Sequence, residues 1–520
     1  MRKFSSYGPI DKTLHYHAPR QELIDLAYQQ LLAGHYITVW APRQTGKSWV
    51  MLEVARRLHA ENQFEVAIIT IQSAKSETAA AGVLQVLITQ LSMWFGREFP
   101  IIQKWSELVT LFSSAHFSKP LILILDEFDA LSEEAINMFA NEFRTMYMMQ
   151  RNRLTRENGH LLHGLALIGV RSVLGIENVS GSLFNVQRGL HIPNLTEAEV
   201  MGMLAWYEQE SGQLFEAGVK ERVYYEFRGQ PGLTCWFGEL LTETFNQHNA
   251  TITRRDFDIA YSAATDALPN NNILNIISKA KQEPYRQWVL ELFKTGEKQR
   301  FHYDNPQLNF LYMNGVIDQD VVSETERYLK FPSPFVQKRL FNYFANELFH
   351  GLGRLFDPFE SLADVFTPQG LDIKALLRRY QLYLQQNRAW LLKDAPRRKT
   401  DLRIYEAVYH FNLYMYLQQF FQCKGQVYPE FPTGNGKIDL IIRHNGRVYG
   451  LELKSFADES GYREALQQAA MYGQQLSLTE ITLGIFVERV DEANRLKYEA
   501  VYHDVTRGVT VTPVLMETEL

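Results

Sequence analysis

Ala41-Pro42-Arg43-Gln44-Thr45-Gly46-Lys47-Ser48 has the residue types and spacing of a loop that cradles phosphates. In such a loop, backbone N–H groups turn inward and the start of the next helix adds its dipole. Lys47 would reach the β- and γ-phosphates of ATP, and Ser48 would hold Mg²⁺. Ala41 stands where the first glycine is usual, and alanine does not freely take positive φ, so a slightly different closure is expected. Downstream, the aliphatic run Leu121 to Leu125 ends in Asp126-Glu127. Asp126 is expected to hold Mg²⁺ and Glu127 to polarise the attacking water. Arg171 follows the strand-like Leu165 to Val170, where a γ-phosphate sensor would sit; a surface arginine explains it equally well.

A second chemistry is written near the other end. Ile438 to Arg443 and Arg447 to Leu453 are β-prone, with Asn445-Gly446 between them, the strongest short signal for a two-residue hairpin. Asp439 lies as far before that turn as Glu452 lies after it. The two are therefore expected opposite each other, about 5 Å apart, on one face. Opposed carboxylates repel unless a cation lies between them, which implies Mg²⁺ or Mn²⁺ held by Asp439 and Glu452. Lys454, two residues on, shares that face and could stabilise charge on a phosphodiester. The plain alternative is an exposed, charged hairpin face. Glu406 lies within a helical pattern over Leu402 to Phe421. Gln468 and Tyr472, spaced i, i+4, share one face of a helical pattern over Tyr462 to Leu476.

The elements that must position these groups follow from the chain's pattern. Its 520 residues imply two to four domains, and 46% hydrophobic with 22% charged residues is an ordinary globular composition. A net charge of -6 excludes a chain coated in nucleic-acid-binding charge. Cys235 and Cys423 follow no metal-ligand spacing and fit a reducing, cytoplasmic setting. No apolar run reaches the roughly 20 residues of a membrane helix.

Strands at Tyr36 to Trp40, Val66 to Ile71, Leu121 to Leu125 and Leu165 to Val170 alternate with helices at Lys47 to Ala60, Ser76 to Phe95 and Glu133 to Met149. That alternation predicts a parallel sheet covered on both faces. After Pro193 the pattern turns helical. Short helices and a small hairpin between Pro284 and Phe349 suggest a winged-helix-like module, and Leu371 to Leu392 is a long helix. The expected division is an ATPase domain at 1–190, a helical lid at 191–280, the winged-helix-like module at 281–350, a helical linker at 351–395 and a nuclease-like α/β domain at 396–520.

The first set of residues resembles AAA-like and STAND-type P-loop ATPases over roughly Tyr16 to Phe237. The resemblance takes in Pro19-Arg20-Gln21-Glu22-Leu23 before the first strand and Gly229-Gln230-Pro231 at the lid. It implies that Pro231 lies near the nucleotide and that an arginine acts in trans, with Arg144, Arg151, Arg153 and Arg156 as candidates and a homo-oligomer as the consequence. The second set resembles the PD-(D/E)XK nuclease superfamily, in its RecB-like branch, over about Leu402 to Leu515. There the order is a helical Glu406, Asp439 on a strand, Glu452-x-Lys454 on the next, and Gln468-x-x-x-Tyr472 on a helix. Ile438 stands where that motif carries proline. Arg378, Arg379, Arg397, Arg398, Lys399 and Arg403 could meet backbone phosphates, or be the solvated charge of a helix and a linker.

Together these readings predict an ATP-hydrolysing protein with a metal-dependent nuclease domain acting on nucleic acid, DNA foremost. The alternative is an ATP-driven regulatory switch whose C-terminal domain binds without cutting. A third reading is a transcriptional regulator acting through the winged-helix-like part.

Overall fold

The computed structural model describes residues 1–5, 8–151, 161–169, 187–293, 299–357, 359–399, 402–430, 439–456 and 458–519, excepting the side chains of 187, 423, 430 and 439. Its contacts divide into two compact units. One holds 1–264, 270–272 and 303–315; the other holds 265–269, 273–302 and 316–520.

The first unit opens with α1 (Gln21–Leu32), β1 (Tyr36–Trp40), α2 (Lys47–Ala60), β2 (Glu65–Thr70), α3 (Ala80–Phe95), α4 (Leu108–Leu111), β3 (Leu121–Asp126), α5 (Glu133–Arg151), β4 (Leu162–Gly169) and β5 (Gln187–His191). The five strands are all parallel, in the order β2-β3-β4-β1-β5. Strand β3 shows why this sheet must be covered twice. Leu121, Leu123 and Leu125 join one core with α3 and α5. Ile122 and Ile124 join the other with α1 and α2. A strand buried on both faces has no polar alternation, as its sequence already says. The helix expected from Ser76 begins only at Ala80, because Gln72–Ser76 forms a 3-10 turn and Ala79 is extended.

A helical region follows: α6 (Glu197–Ser211), β6 (Leu214–Phe215), α7 (Val219–Phe227), α8 (Pro231–Glu239), β7 (Thr251–Ile252) and α9 (Arg254–Asp266). Thr196 starts α6 with a full capping box through Glu199.

Beyond it come α10 (Asn271–Ala280), α11 (Tyr285–Leu292), α12 (Pro306–Met313), the antiparallel pair β8 (Asp318–Val321) and β9 (Arg327–Lys330), α13 (Pro334–Phe349), β10 (Phe366–Thr367), β11 (Gly370–Leu371) and α14 (Ile373–Leu391). Of these, α12 clusters with the first unit.

The chain closes with α15 (Glu406–Phe421), β12 (Gln426–Glu430), β13 (Asp439–His444), β14 (Arg447–Ser455), α16 (Glu459–Gln475), β15 (Glu480–Val487), α17 (Glu492–Tyr498), β16 (Tyr502–Asp504) and β17 (Val509–Glu517). Their strands form a six-stranded mixed sheet, β12-β13-β14-β15-β17-β16. The first three pair antiparallel, and β15 is parallel to both its neighbours. Helix α16 buries Ala465, Leu466 and Ala469 against β15 and β17. The helix expected from Leu402 begins four residues later. The preceding stretch is held in a turn by Leu402 N–H donating to Arg398 and Arg398 N–H donating to Arg403, with Arg397 bridging to Ile404. Among the described residues no helix is long and apolar enough to cross a membrane.

Candidate functional site

In the first unit the chemistry gathers at the carboxyl ends of the parallel strands, where ligands of open α/β sheets bind. Residues 41–48 run from the end of β1 into α2. The helix is capped by Gly46, which brings no side chain to its first-turn N–H groups, so these can face an anion. The loop's positive φ angles fall at Gln44 (57°) and Gly46 (89°) and not at Ala41, so the missing first glycine is not needed and the expected distortion there does not arise. Ala41 is fully buried. Thr45 Oγ1 donates to the Pro42 carbonyl at 2.9 Å, which closes the turn. Ser48 is exposed at the start of α2, as is Arg43 in the loop.

Lys47 Nζ donates to the Ala41 and Pro42 carbonyls at 2.9 and 2.8 Å. Burial pulls its pKa down to about 8, against the opposing pull of Asp129, Asp126 and Glu127. Asp126, at the end of β3, accepts the Glu127 N–H at 2.8 Å. Glu127 sits at positive φ, 56°. Burial raises its pKa, helped by Asp126 and Asp129 and resisted by Arg43 and Lys47. A carboxylate raised in this way is a better proton acceptor. Asp129 escaped the sequence reading, although it stands three residues after Asp126. It reaches the end of β4, where a Cβ on Gly169 would meet its Oδ1 at 2.9 Å.

The lid segment packs on this loop. Gln230 caps α8 and its amide donates to the Arg43 carbonyl at 3.0 Å. Pro231 is the first residue of α8, and Gly232 N–H donates to the Gln44 carbonyl at 3.0 Å. A Cβ on Gly232 would meet Gln44 Cβ at 2.6 Å, so only glycine permits this approach. Of the arginines, Arg20 is buried and bound to the Pro193 carbonyl and Glu199. Arg151 is engaged with the Gly34 carbonyl and His35 just before β1, the end of the sheet opposite the phosphate loop. Arg144 is exposed on α5. Arg171, Arg153 and Arg156 lie outside the described residues.

The second set collects in the C-terminal sheet. The hairpin closes at Asn445 and Gly446, both at positive φ, and Asp439 pairs directly with Glu452 as its turn demands. Asp439 is described by its backbone alone, and Lys437 and Ile438 lie outside the described residues. The alternative of an exposed charged face fails for β14: Glu452 is 2% exposed and Lys454 8%, with Lys454 Nζ 3.4 Å from Glu452 Oε1. Glu406 is the first residue of α15, where its charge meets the helix N-terminus favourably. Glu406, Lys454 and Gln468 line one cavity of about 1320 Å³, together with Arg397, Arg398 and Arg403. Tyr472, one turn past Gln468, is buried in the core between α16 and the sheet. Arg378 and Arg379 are bound to Glu499 and to Glu360 and Asp364. Among the described residues no three His, Cys, Asp or Glu groups converge tightly enough to hold a metal ion.

No family model matches the chain, and no curated protein matches it. Among solved structures it is similar to a Walker-type ATPase of Pyrococcus abyssi, at 14% identity and a TM-score of 0.44, over 65% of this chain and 99% of that one. It is also similar to the Orc1 protein of Aeropyrum pernix in complex with DNA, at 15% identity and a TM-score of 0.32, over 62% and 92%. RuvB of Thermotoga maritima, a Holliday junction branch migration motor, matches at 12% identity and a TM-score of 0.32, over 59% and 93%. Likenesses this distant carry no argument about activity.

Proposed function

We propose that this protein hydrolyses ATP at the first site and cuts nucleic acid phosphodiesters, DNA foremost, at the second. The ATPase half is supported by the loop between β1 and α2, whose lysine is faced by the carboxylates following β3. Lys47 and the first-turn N–H groups of α2 would bind phosphate oxygens. Glu127 would take the proton of the attacking water. Ser48 and Asp126 would hold the accompanying Mg²⁺.

The observation that carries the nuclease half is the buried Glu452–Lys454 pair beside Asp439 in register. Burying an ion pair costs more than an apolar pair of the same volume, so its presence in a sheet core calls for a role. The residues suit a hard divalent cation: Asp439 and Glu452 offer oxygen donors, and their opposition would be repulsive without one. Bound there, Mg²⁺ or Mn²⁺ would stabilise negative charge on the phosphodiester. Lys454 would add its own positive charge from the cavity wall, and Glu406 and Gln468 would orient the substrate within it.

A second reading, a nucleotide-driven switch that binds without cutting, is favoured by the net charge of -6. One experiment separates the two. Plasmid and single-stranded DNA are incubated with Mg²⁺ or Mn²⁺, with and without ATP, using the wild type and Glu452→Ala. Cutting that disappears in the variant supports the nuclease, and its ATP dependence reports coupling. ATP turnover with no cutting under any condition favours the switch.

A further inference from the structure

His410 stands one turn after Glu406 on α15 and is fully buried. Among the described residues neither ring nitrogen has a hydrogen-bond partner. A buried polar group left without partners is rare and costs stability, so its retention needs a reason. Its surroundings supply one. Its Nε2 lies 3.7 Å from Glu406 Oε1. Its ring packs on Phe486, 5.5 Å between centroids, and Phe486 pairs in register with Ser455, next to Lys454. Glu406, Lys454 and Phe486 line the cavity, whereas His410 stands behind them.

We propose that His410 is a positioning residue of the nuclease site: from behind the cavity wall, its Nε2–H steers the Glu406 carboxylate toward the substrate. The inference rests on the nuclease reading above. At 3.7 Å the contact is longer than a hydrogen bond, so a small shift of Glu406 toward the helix interior would complete it. Burial, opposed by Glu406 and helped by Lys454, lowers the pKa of His410 to about 4, so at neutral pH the ring is uncharged and one nitrogen remains a donor. A leucine in the same volume would lack the donor and remove the unpartnered nitrogens.

The test compares full-length wild type, His410→Leu, His410→Gln and Lys454→Ala. Cleavage of a single-stranded oligonucleotide with Mn²⁺ gives kcat and KM, and thermal unfolding gives Tm. In His410→Leu, Tm is expected to hold or rise by about 2 °C. Its kcat should fall about tenfold to a hundredfold, as when second-layer partners of a metal site are lost. KM should stay unchanged, and His410→Gln, which keeps an N–H donor, should recover part of kcat. Should leucine fail to pack, His410→Met takes its place under the same criteria. Wild-type kcat in the apolar variant overturns the proposal. So does a joint fall of Tm and kcat in both the apolar variant and His410→Gln, which marks a packing residue only. If Lys454→Ala cuts like wild type, or wild type does not cut, the nuclease reading itself has failed; normal cutting by His410→Leu alone sinks only this inference.

Discussion

The two candidate sites are built by opposite means. The phosphate loop is mostly backbone: its donors are N–H groups of a helix start and a turn, set at the end of a parallel strand. Of its side chains Arg43, Gln44 and Ser48 are exposed while Ala41 and Thr45 are buried, and a glycine can give way to Ala41 without loss of the turn, because the positive φ falls elsewhere. The hairpin site is side chains alone. Its glutamate and lysine are buried in a sheet and held by register, so no neighbouring residue can stand in for them. A backbone site tolerates sequence change; a register site does not. Stability should respond to mutation in the same unequal way.

The largest contrast is expected from deleting one charge at each site. Glu452→Ala should abolish cleavage and also destabilise the protein by about 3 kcal/mol or more, because Lys454 is left buried and unpaired. Lys47→Ala should abolish ATP turnover with little loss of Tm. Thermal unfolding with both assays checks this; equal Tm in the two variants would break the comparison. Next in size, Glu127→Gln should lower ATP turnover about a hundredfold or more while nucleotide still binds, as loss of a general base does. Fluorescent nucleotide titration alongside turnover separates the two effects.

A third expectation concerns pH. With its pKa lowered to about 8, Lys47 is charged below that value and neutral above it. Phosphate anions favour the charged form, so ATP affinity should weaken as pH rises through 8, and binding above pH 8 should take up a proton. Calorimetry in buffers of different ionisation enthalpy measures that uptake, and Lys47→Arg should remove it. The sign for stability is the reverse of a salt-bridged lysine. The folded pKa lies below the 10.5 of a free lysine, so the unfolded chain holds more protons between about pH 8 and 10.5. Lys47 therefore opposes folding at lower pH and stops doing so as pH rises through that window. The smallest effect should come from Gly232→Ala, whose methyl would press on Gln44. About 1 kcal/mol of strain translates to a loss of tenfold or less in nucleotide affinity, with cleavage chemistry untouched.

Local chemistry made much of this legible in the sequence. The unbroken aliphatic run of β3 announces a strand buried on both faces. Asn445-Gly446 fixes a two-residue turn, and the turn fixes which residues oppose each other, because a hairpin's register is set by its loop. The phosphate loop is legible for the same reason, being a contiguous segment whose geometry is local. Asp129 was hidden because its relation to Lys47 and Gly169 joins three separate elements of the first unit. Helix α15 starts at Glu406 and not at Leu402 because the backbone of Arg398 hydrogen-bonds to Leu402 and Arg403, a pairing that the residue types there do not announce.

What only the tertiary structure decided is burial and company. Glu452 and Lys454 read as readily as an exposed face until the sheet encloses them. His410 is an unremarked residue of an aromatic helix until its two ring nitrogens prove to have no hydrogen-bond partner among the described residues. The placement of Gly232 against Gln44 likewise joins residues far apart in the chain. The sequence determined turns, periods and the order of charged groups, since these depend on neighbours a few residues away. Desolvation depends on every element packed around a group, and only the folded chain assembles those.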